Sequence, residues 1–198
     1  MKQIVVLGIY RSGTSMIAGI LDRLGINIGD HGDLKGTANP KGYYEDQNSV
    51  NLNVKIREQL NKTHLTVKKK HCKRISTKNR IAIQNYIKQR NKEKVWGVKD
   101  PKMLPFFSVY QEYLDNPYLI KIRRNRKDII DSWRKVDKSG GNFEEAHKNH
   151  LYVLNSIKGN ILELHYKECL KNPKGTVDKI AKFIGAKPTK EAINFIDK

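Results

Sequence analysis

The stretch Ile4-Val5-Val6-Leu7-Gly8-Ile9-Tyr10-Arg11-Ser12-Gly13-Thr14-Ser15 decides the fold of this 198-residue chain. Its first four residues form an unbroken apolar run rich in β-branched side chains, the pattern of a strand buried on both faces of a parallel sheet. Gly8 and Gly13 bracket a bend. From Thr14 to Leu24 the apolar residues Met16, Ile17, Ile20, Leu21 and Leu24 recur at helical spacing. A strand, a glycine-bearing loop and a helix N-terminus in that order aim backbone N–H groups and the positive end of a helix dipole at one point. The loop is therefore a candidate anion site, with Arg11, Thr14 and Ser15 as side-chain donors.

Outward from this stretch the same alternation repeats. Val95-Trp96-Gly97-Val98-Lys99, Tyr118-Leu119-Ile120-Lys121-Ile122 and Ile161-Leu162-Glu163-Leu164-His165 read as three further strands. Helical patterns stand between them: Leu104 to Leu114 after Asp100-Pro101, Lys127 to Val136, and Phe143 to Ile157 beyond Gly140-Gly141. A helical tail carries Val177, Ile180, Ala181, Phe183 and Ile184 and stops at Gly185. Strands alternating with helices imply right-handed crossovers, hence an α/β fold: a three-layer sandwich with a central parallel sheet. His31 to Gly42 reads as a loop containing Gly32, Gly36, Asn39 and Pro40. A helical pattern opens at Tyr43-Tyr44-Glu45-Asp46 and runs through Val50, Leu52, Val54, Ile56 and Leu60, which sets Glu45 at a loop-to-helix junction.

The length suits one domain, residues 1–198, with a real core. Lys and Arg exceed Asp and Glu to a net charge of +19, which implies polyanionic company without choosing among nucleic acid, acidic glycan, anionic surface or charged nucleotide. The excess concentrates at residues 61–94, where Lys68, Lys69, Lys70, Lys73 and Arg74 cluster and Glu93 is the one acid. Ile75, Ile81, Ile83, Tyr86 and Ile87 suggest a helix over Thr77 to Arg90. The segment has too few apolar residues for a core of its own and reads as a basic helical insertion. It either lines an acceptor cleft or is a solvated basic face. Direct nucleic-acid binding is the weaker reading, because interleaved aromatics and a DNA-reading motif are absent. No apolar run approaches membrane-spanning length, and the chain enters its first strand without a signal-peptide pattern, so a cytoplasmic protein is expected. Cys72 and Cys169 read as free thiols.

Gly8, Gly13 and Ser15 fit the phosphate-loop frame G-x-x-x-x-G-K-[ST], but Thr14 stands where the lysine belongs. A nucleotide kinase needs that lysine on the outer phosphates. The nearest cation is instead Arg11, inside the bend, which suits a different phosphorylated donor. A second pattern follows the third strand: Arg124-Asn125-Arg126-Lys127-Asp128-Ile129-Ile130-Asp131-Ser132. An arginine at a strand end can reach two phosphate oxygens, and a serine two helical turns later can donate a further bond.

Together the two stretches resemble sulfotransferases that use 3′-phosphoadenosine 5′-phosphosulfate (PAPS). Tyr10-Arg11-Ser12-Gly13-Thr14-Ser15 is similar to the family's 5′-phosphosulfate loop P-[KR]-S-G-T-[TS], with Tyr10 in place of proline. Arg124 and Ser132 match the family's R-[ND]-P-x-D-x-x-x-S, with Asp128 also in place and Arg126 replacing proline. Asn39-Pro40-Lys41-Gly42-Tyr43-Tyr44-Glu45 and Trp96-Gly97-Val98-Lys99-Asp100-Pro101 resemble blocks of bacterial and phage-type members and of protein-tyrosine sulfotransferases. Tyr166 and Pro173 fit a Y-E-D-L-x-x-x-P element in which Lys167 replaces the acid, and Phe183-Ile184-Gly185 fits the F-[IL]-G that follows. The resemblance runs from residue 3 to about 185 and lapses in the basic insertion. The glycine-rich C-terminal cofactor loop of the cytosolic small-molecule enzymes is absent.

The resemblance implies a P-loop-like sulfotransferase fold and PAPS as donor, with a hydroxyl or amine as acceptor. Arg11, Ser12, Gly13, Thr14 and Ser15 would hold the 5′ end, and Arg124 and Ser132 the 3′-phosphate. By resemblance and by chemistry Glu45 is the candidate general base, with His31 as its rival. Arg11 and Lys99 are the candidate electrostatic pair around the transferred group, although Lys99 can also be read as a strand-end cation paired to Asp100. An acidic glycan or peptide is the candidate acceptor. No metal is expected: His147 and His150 lack a third ligand. A P-loop-like nucleotide or small-molecule kinase and a polyanion-binding module are the alternatives.

Overall fold

Four strands and the helices between them follow the chain order expected. They are β1 (Lys2–Leu7), α1 (Thr14–Arg23), α2 (Gln47–Gln59), α3 (Thr77–Arg90), β2 (Val95–Lys99), α4 (Phe107–Gln111), β3 (Tyr118–Arg123), α5 (Arg126–Val136), α6 (Phe143–Ser156), β4 (Asn160–His165), α7 (Tyr166–Lys171), α8 (Pro173–Ile184) and α9 (Lys190–Asp197). The computed structural model describes residues 1–31, 39, 41–137 and 140–197, so Gly32, Gly36 and Pro40 of the expected loop lie outside the described residues.

The sheet is wholly parallel in the order β2-β1-β3-β4. Alternation along β1 creates the layers: Ile4 and Val6 face α1, α7, α8 and α9, while Val5 and Leu7 face a second cluster built on α2 to α6. The molecule is thus a three-layer α/β sandwich. Parallel strands put all their C-terminal ends on one edge, and β1 has neighbours reached by crossovers to opposite sides, so the crevice opens at the loop after β1.

Three element boundaries differ from expectation, each for a local reason. The helix after the Tyr43-Tyr44 pair starts only at Gln47, because Tyr44 is left-handed at φ 53° and Asp46 caps the first turn by accepting from the Asn48 N–H at 3.1 Å. The helix expected from Leu104 is a 3₁₀ turn over Pro101–Phe106 followed by the short α4, since Pro105 lacks an N–H for a regular ladder. Beyond Gly185 the chain adds α9, which packs on α1 where Gly19 leaves room: a Cβ there would lie 2.4 Å from the Phe195 ring.

Residues 61–94 send Leu65, Val67, Cys72, Ile75, Ile83, Tyr86 and Ile87 into the α2–α6 core, while Ile81 faces solvent. Tyr86 donates its hydroxyl to Asp46 at 2.9 Å. Cys72 and Cys169 are free thiols buried in different clusters. Among the described residues no helix is long and apolar enough to cross a membrane.

Candidate active site

The strand ends deliver their residues to one cleft of about 350 Å³. The loop after β1 supplies Arg11, Gly13, Thr14 and Ser15, β2 ends in Lys99, Arg124 follows β3, and Tyr166 opens α7 directly after β4. Glu45 comes from the segment before α2.

The loop is wound tightly. Ser12 N–H donates to the Ile9 carbonyl at 3.0 Å, and Gly13, at φ 102°, is the N-cap of α1. Thr14 and Ser15 are then the first helical residues, whose N–H groups have no intrahelical acceptor. Gly13 is required twice over. Its φ suits glycine, and a Cβ would lie 2.4 Å from the Tyr166 ring, which covers the loop. Arg11 is left-handed at φ 67°, a strained setting for a non-glycine residue.

The loop after β1 and the Arg124–Ser132 stretch meet physically. Arg11 Nε donates to Ser132 Oγ at 3.0 Å, and Arg124 donates to the Arg11 carbonyl at 3.0 Å while its guanidinium lies 4.7 Å over the Tyr166 ring. Burial, and secondarily Arg124, lower the Arg11 pKa from its ordinary value, opposed by Tyr43 and Tyr166; an arginine stays charged under such a shift. Asn125 caps α5 by accepting from Lys127 N–H at 2.9 Å, which fixes the turn that Arg126 leaves without proline. Asp128 pairs at 3.3 Å with Lys167, the residue that replaces the acid in the Tyr166 element.

The opposite end of the cleft is a charge network. Lys99, 1% exposed, donates to Glu45 Oε1 at 2.7 Å and to the Tyr43 carbonyl at 2.9 Å, and Lys102 reaches Glu45 Oε2 at 3.1 Å. Burial pushes the Glu45 carboxyl up, but Lys99 and Lys102 together outweigh it and hold the group below its ordinary range. Burial depresses Lys99, with Glu45 opposing. Asp100 is not Lys99's partner. It accepts from Lys102 N–H and from Asn53, both at 2.9 Å, and burial raises its pKa.

Of the residues expected at the site, Arg11, Gly13, Thr14, Ser15, Glu45, Lys99 and Arg124 line the cleft. Ser132 is held against Arg11. Ser12 is turned inward beneath the loop, its buried Oγ without a partner. His31 sits apart from the cleft lining, its Nε2 3.7 Å from Asp22 and its ring against Tyr44. His147 and His150 are buried on α6, and among the described residues no group of three or more His, Cys, Asp or Glu is arranged for a metal.

Sequence reasoning missed three contributors. Lys102 follows the Lys99-Asp100-Pro101 block and reaches Glu45 only because the 3₁₀ turn folds it back. Tyr10, in the family's proline position, lines the cleft and stacks on Trp133 at 5.7 Å. Phe195 and Ile196 of α9 form a wall, with Lys41 donating to the Phe195 carbonyl at 2.8 Å.

Comparison with known proteins agrees with this architecture. A sulfotransferase domain from the curacin biosynthetic pathway superimposes with a TM-score of 0.56 at 13% identity, over 97% of this chain and 77% of that one. A sulfotransferase from Mycobacterium tuberculosis does so at 0.54 and 12% identity, over 98% and 70%. Deoxyadenosine kinase from M. mycoides, solved with bound dATP, reaches 0.50 at 14% identity, over 91% and 99%. The sheet is therefore one that sulfotransferases and P-loop kinases share. A search of curated sequences found no match. The sequence model of the sulfotransferase family matches residues 3–190, nearly the whole of the described fold, and the chain belongs to that family.

Proposed function

We propose that this protein transfers a sulfonate group from PAPS to a hydroxyl or amine of an acceptor, with Arg11, Gly13, Thr14 and Ser15 at the donor's 5′ end and Arg124 and Ser132 at its 3′-phosphate. The observation that carries the reading is the meeting of the two motifs: Arg11, Ser132 and Arg124 form one linked set of donors at the helix N-terminus. The cleft also fits the donor in chemistry and size. Among the described residues Arg11, Thr14, Ser15, Lys41, Lys99 and Arg124 line it against one carboxylate, Glu45, and Arg124 Nε is buried without an acceptor. About 350 Å³ lies in the range of small-ligand clefts. Ser12 supports the loop from below.

PAPS supplies the sulfonate and a phosphate leaving group. Thr14 and Ser15 hold the 5′-phosphate through helix-terminal N–H groups and hydroxyls. Arg11 stabilises the negative charge that grows on the leaving oxygen. Lys99 stabilises the sulfonate oxygens. Glu45 accepts the acceptor's proton. It is a weak base while Lys99 and Lys102 both hold it, so the role requires Lys99 to turn from Glu45 to the incoming sulfonate. Lys102 then keeps the carboxylate oriented.

Thr14 in the lysine position argues against phosphoryl transfer despite the shared sheet. The test is transfer from labelled PAPS, and in parallel from labelled ATP with magnesium, to mixed phenols, tyrosine peptides and glycans. Sulfonate transfer from PAPS is the expected result. Phosphoryl transfer without sulfonate transfer would make the chain a kinase, and salt-sensitive binding to random DNA with neither activity would make it a polyanion-binding module.

A further inference from the structure

A second cavity of about 350 Å³ lies beside the site, lined by Val54, Arg57, Glu58, Lys62, Thr63, His64 and Leu65. Its form follows from the end of α2. Asn61 is left-handed at φ 50°, and Lys62 N–H bonds back to the Arg57 carbonyl at 2.9 Å, so the chain reverses and returns Lys62 and His64 to the side of Arg57. Thr63 and Thr66 lock the reversal: Thr63 N–H donates to Thr66 Oγ1 at 2.9 Å and Thr66 N–H to Thr63 Oγ1 at 3.3 Å.

The cavity is basic, and two of its cations lack a carboxylate partner. Among the described residues neither Arg57 nor Lys62 has a carboxylate within ion-pair distance, and Arg57 Nε is buried with no acceptor at all. Such a donor is costly to leave unmade. Among the described residues Glu58 is the lining's one carboxylate, and it is exposed to solvent. His64 is oriented by Asp137 at 2.9 Å.

The cavity also adjoins the cleft. The His64 ring stands 5.4 Å from the ring of Tyr10, which lines the cleft. The Tyr10 and His64 rings thus stand between the cleft and the cavity.

We infer that this cavity is an acceptor subsite, in which Arg57 and Lys62 bind a carboxylate or sulfate carried by the acceptor while its hydroxyl reaches Glu45 past Tyr10. The inference rests on the sulfotransferase reading and narrows its acceptor to an anionic one.

The test is calorimetry on protein saturated with the bisphosphate product of PAPS, which occupies the donor cleft. The probes are 4-hydroxyphenylacetate, 4-hydroxybenzenesulfonate and the neutral 4-hydroxyphenylacetamide. Wild type should bind one or both acids about tenfold more tightly than the amide, the size of one charge-assisted contact, and the better acid identifies the anion. Arg57→Gln should bring the ratio to about one, with Lys62→Gln as a second variant, whereas Lys70→Gln, which removes the same charge from an exposed site, should leave it unchanged. Equal binding of acids and amide by wild type, or a ratio that survives Arg57→Gln, overturns the subsite. Failure of the bisphosphate to bind overturns the donor reading instead, and the probe ratio on the donor-free protein still decides the subsite.

Discussion

Replacing His150 by phenylalanine should abolish an acid lability that lies two ring contacts from the cleft. His150 is 1% exposed, and neither ring nitrogen has a hydrogen-bond partner. Burial, with smaller contributions from His64 and His147, lowers its pKa to about 4 from an ordinary 6.5. A group whose folded pKa is depressed stabilises the fold above its unfolded pKa, and that contribution is lost as pH falls toward the folded value, because the unfolded chain takes up the proton first. Between about pH 7 and pH 5 the loss is about 2 kcal/mol, rising to about 3 kcal/mol near pH 4. His150 stacks at 6.2 Å on Trp133, the residue after Ser132, and Trp133 stacks in turn on Tyr10, which lines the cleft. The assay is urea unfolding of wild type and His150→Phe across this range. Phenylalanine keeps the stacking and adds no proton, so the difference between the two proteins should grow by about 2 kcal/mol from pH 7 to pH 5. A difference that stays constant with pH would refute the reasoning.

Three further outcomes follow from the geometry. Gly13→Ala should weaken binding of the bisphosphate product at least about tenfold, because its Cβ must displace the Tyr166 ring and its φ is unsuited to alanine; unchanged affinity in a titration would contradict the packing. Glu45→Gln should keep that affinity and lower turnover by about 10²–10⁴. Because Lys99 and Lys102 outweigh burial and hold the Glu45 carboxyl below its ordinary range, the wild-type kcat/KM profile should show no acid limb in the range where histidines titrate. A limb there would move the base role to a histidine. Lys99→Met should lower turnover by about 10²–10³ and, by leaving the Tyr43 carbonyl unpaired, cost about 1–3 kcal/mol in thermal unfolding; full activity would exclude Lys99 from the reaction.

The sheet was legible because a parallel strand is a local signal. Four apolar runs between helical patterns suffice, and all four strands appear within a residue or two of their expected limits. The loop after β1 was legible for the same reason, as a strand, a bend and a helix in one continuous stretch. What escaped was nonlocal. The Arg11–Ser132 bond joins residues 121 apart in sequence, and Lys102 and Glu45 are 57 apart. Spacing does not encode either. The α9 wall escaped because a short helix after Gly185 carries its meaning only through Gly19 on α1, whose missing Cβ admits Phe195. The charge at residues 61–94 hid the apolar side chains through which that segment joins the core.

The central claim is that one cleft grips a nucleotide at both its 5′ and 3′ phosphates. Calorimetry of the bisphosphate product against 5′-AMP, in wild type and in Arg124→Gln, tests it most directly, since glutamine keeps an N–H for the Arg11 carbonyl. The account predicts that the bisphosphate binds about 10–100-fold more tightly than 5′-AMP, a bidentate charge-assisted contact, and that Arg124→Gln removes this advantage while leaving 5′-AMP affinity unchanged. Equal affinity for the two nucleotides in wild type would contradict it.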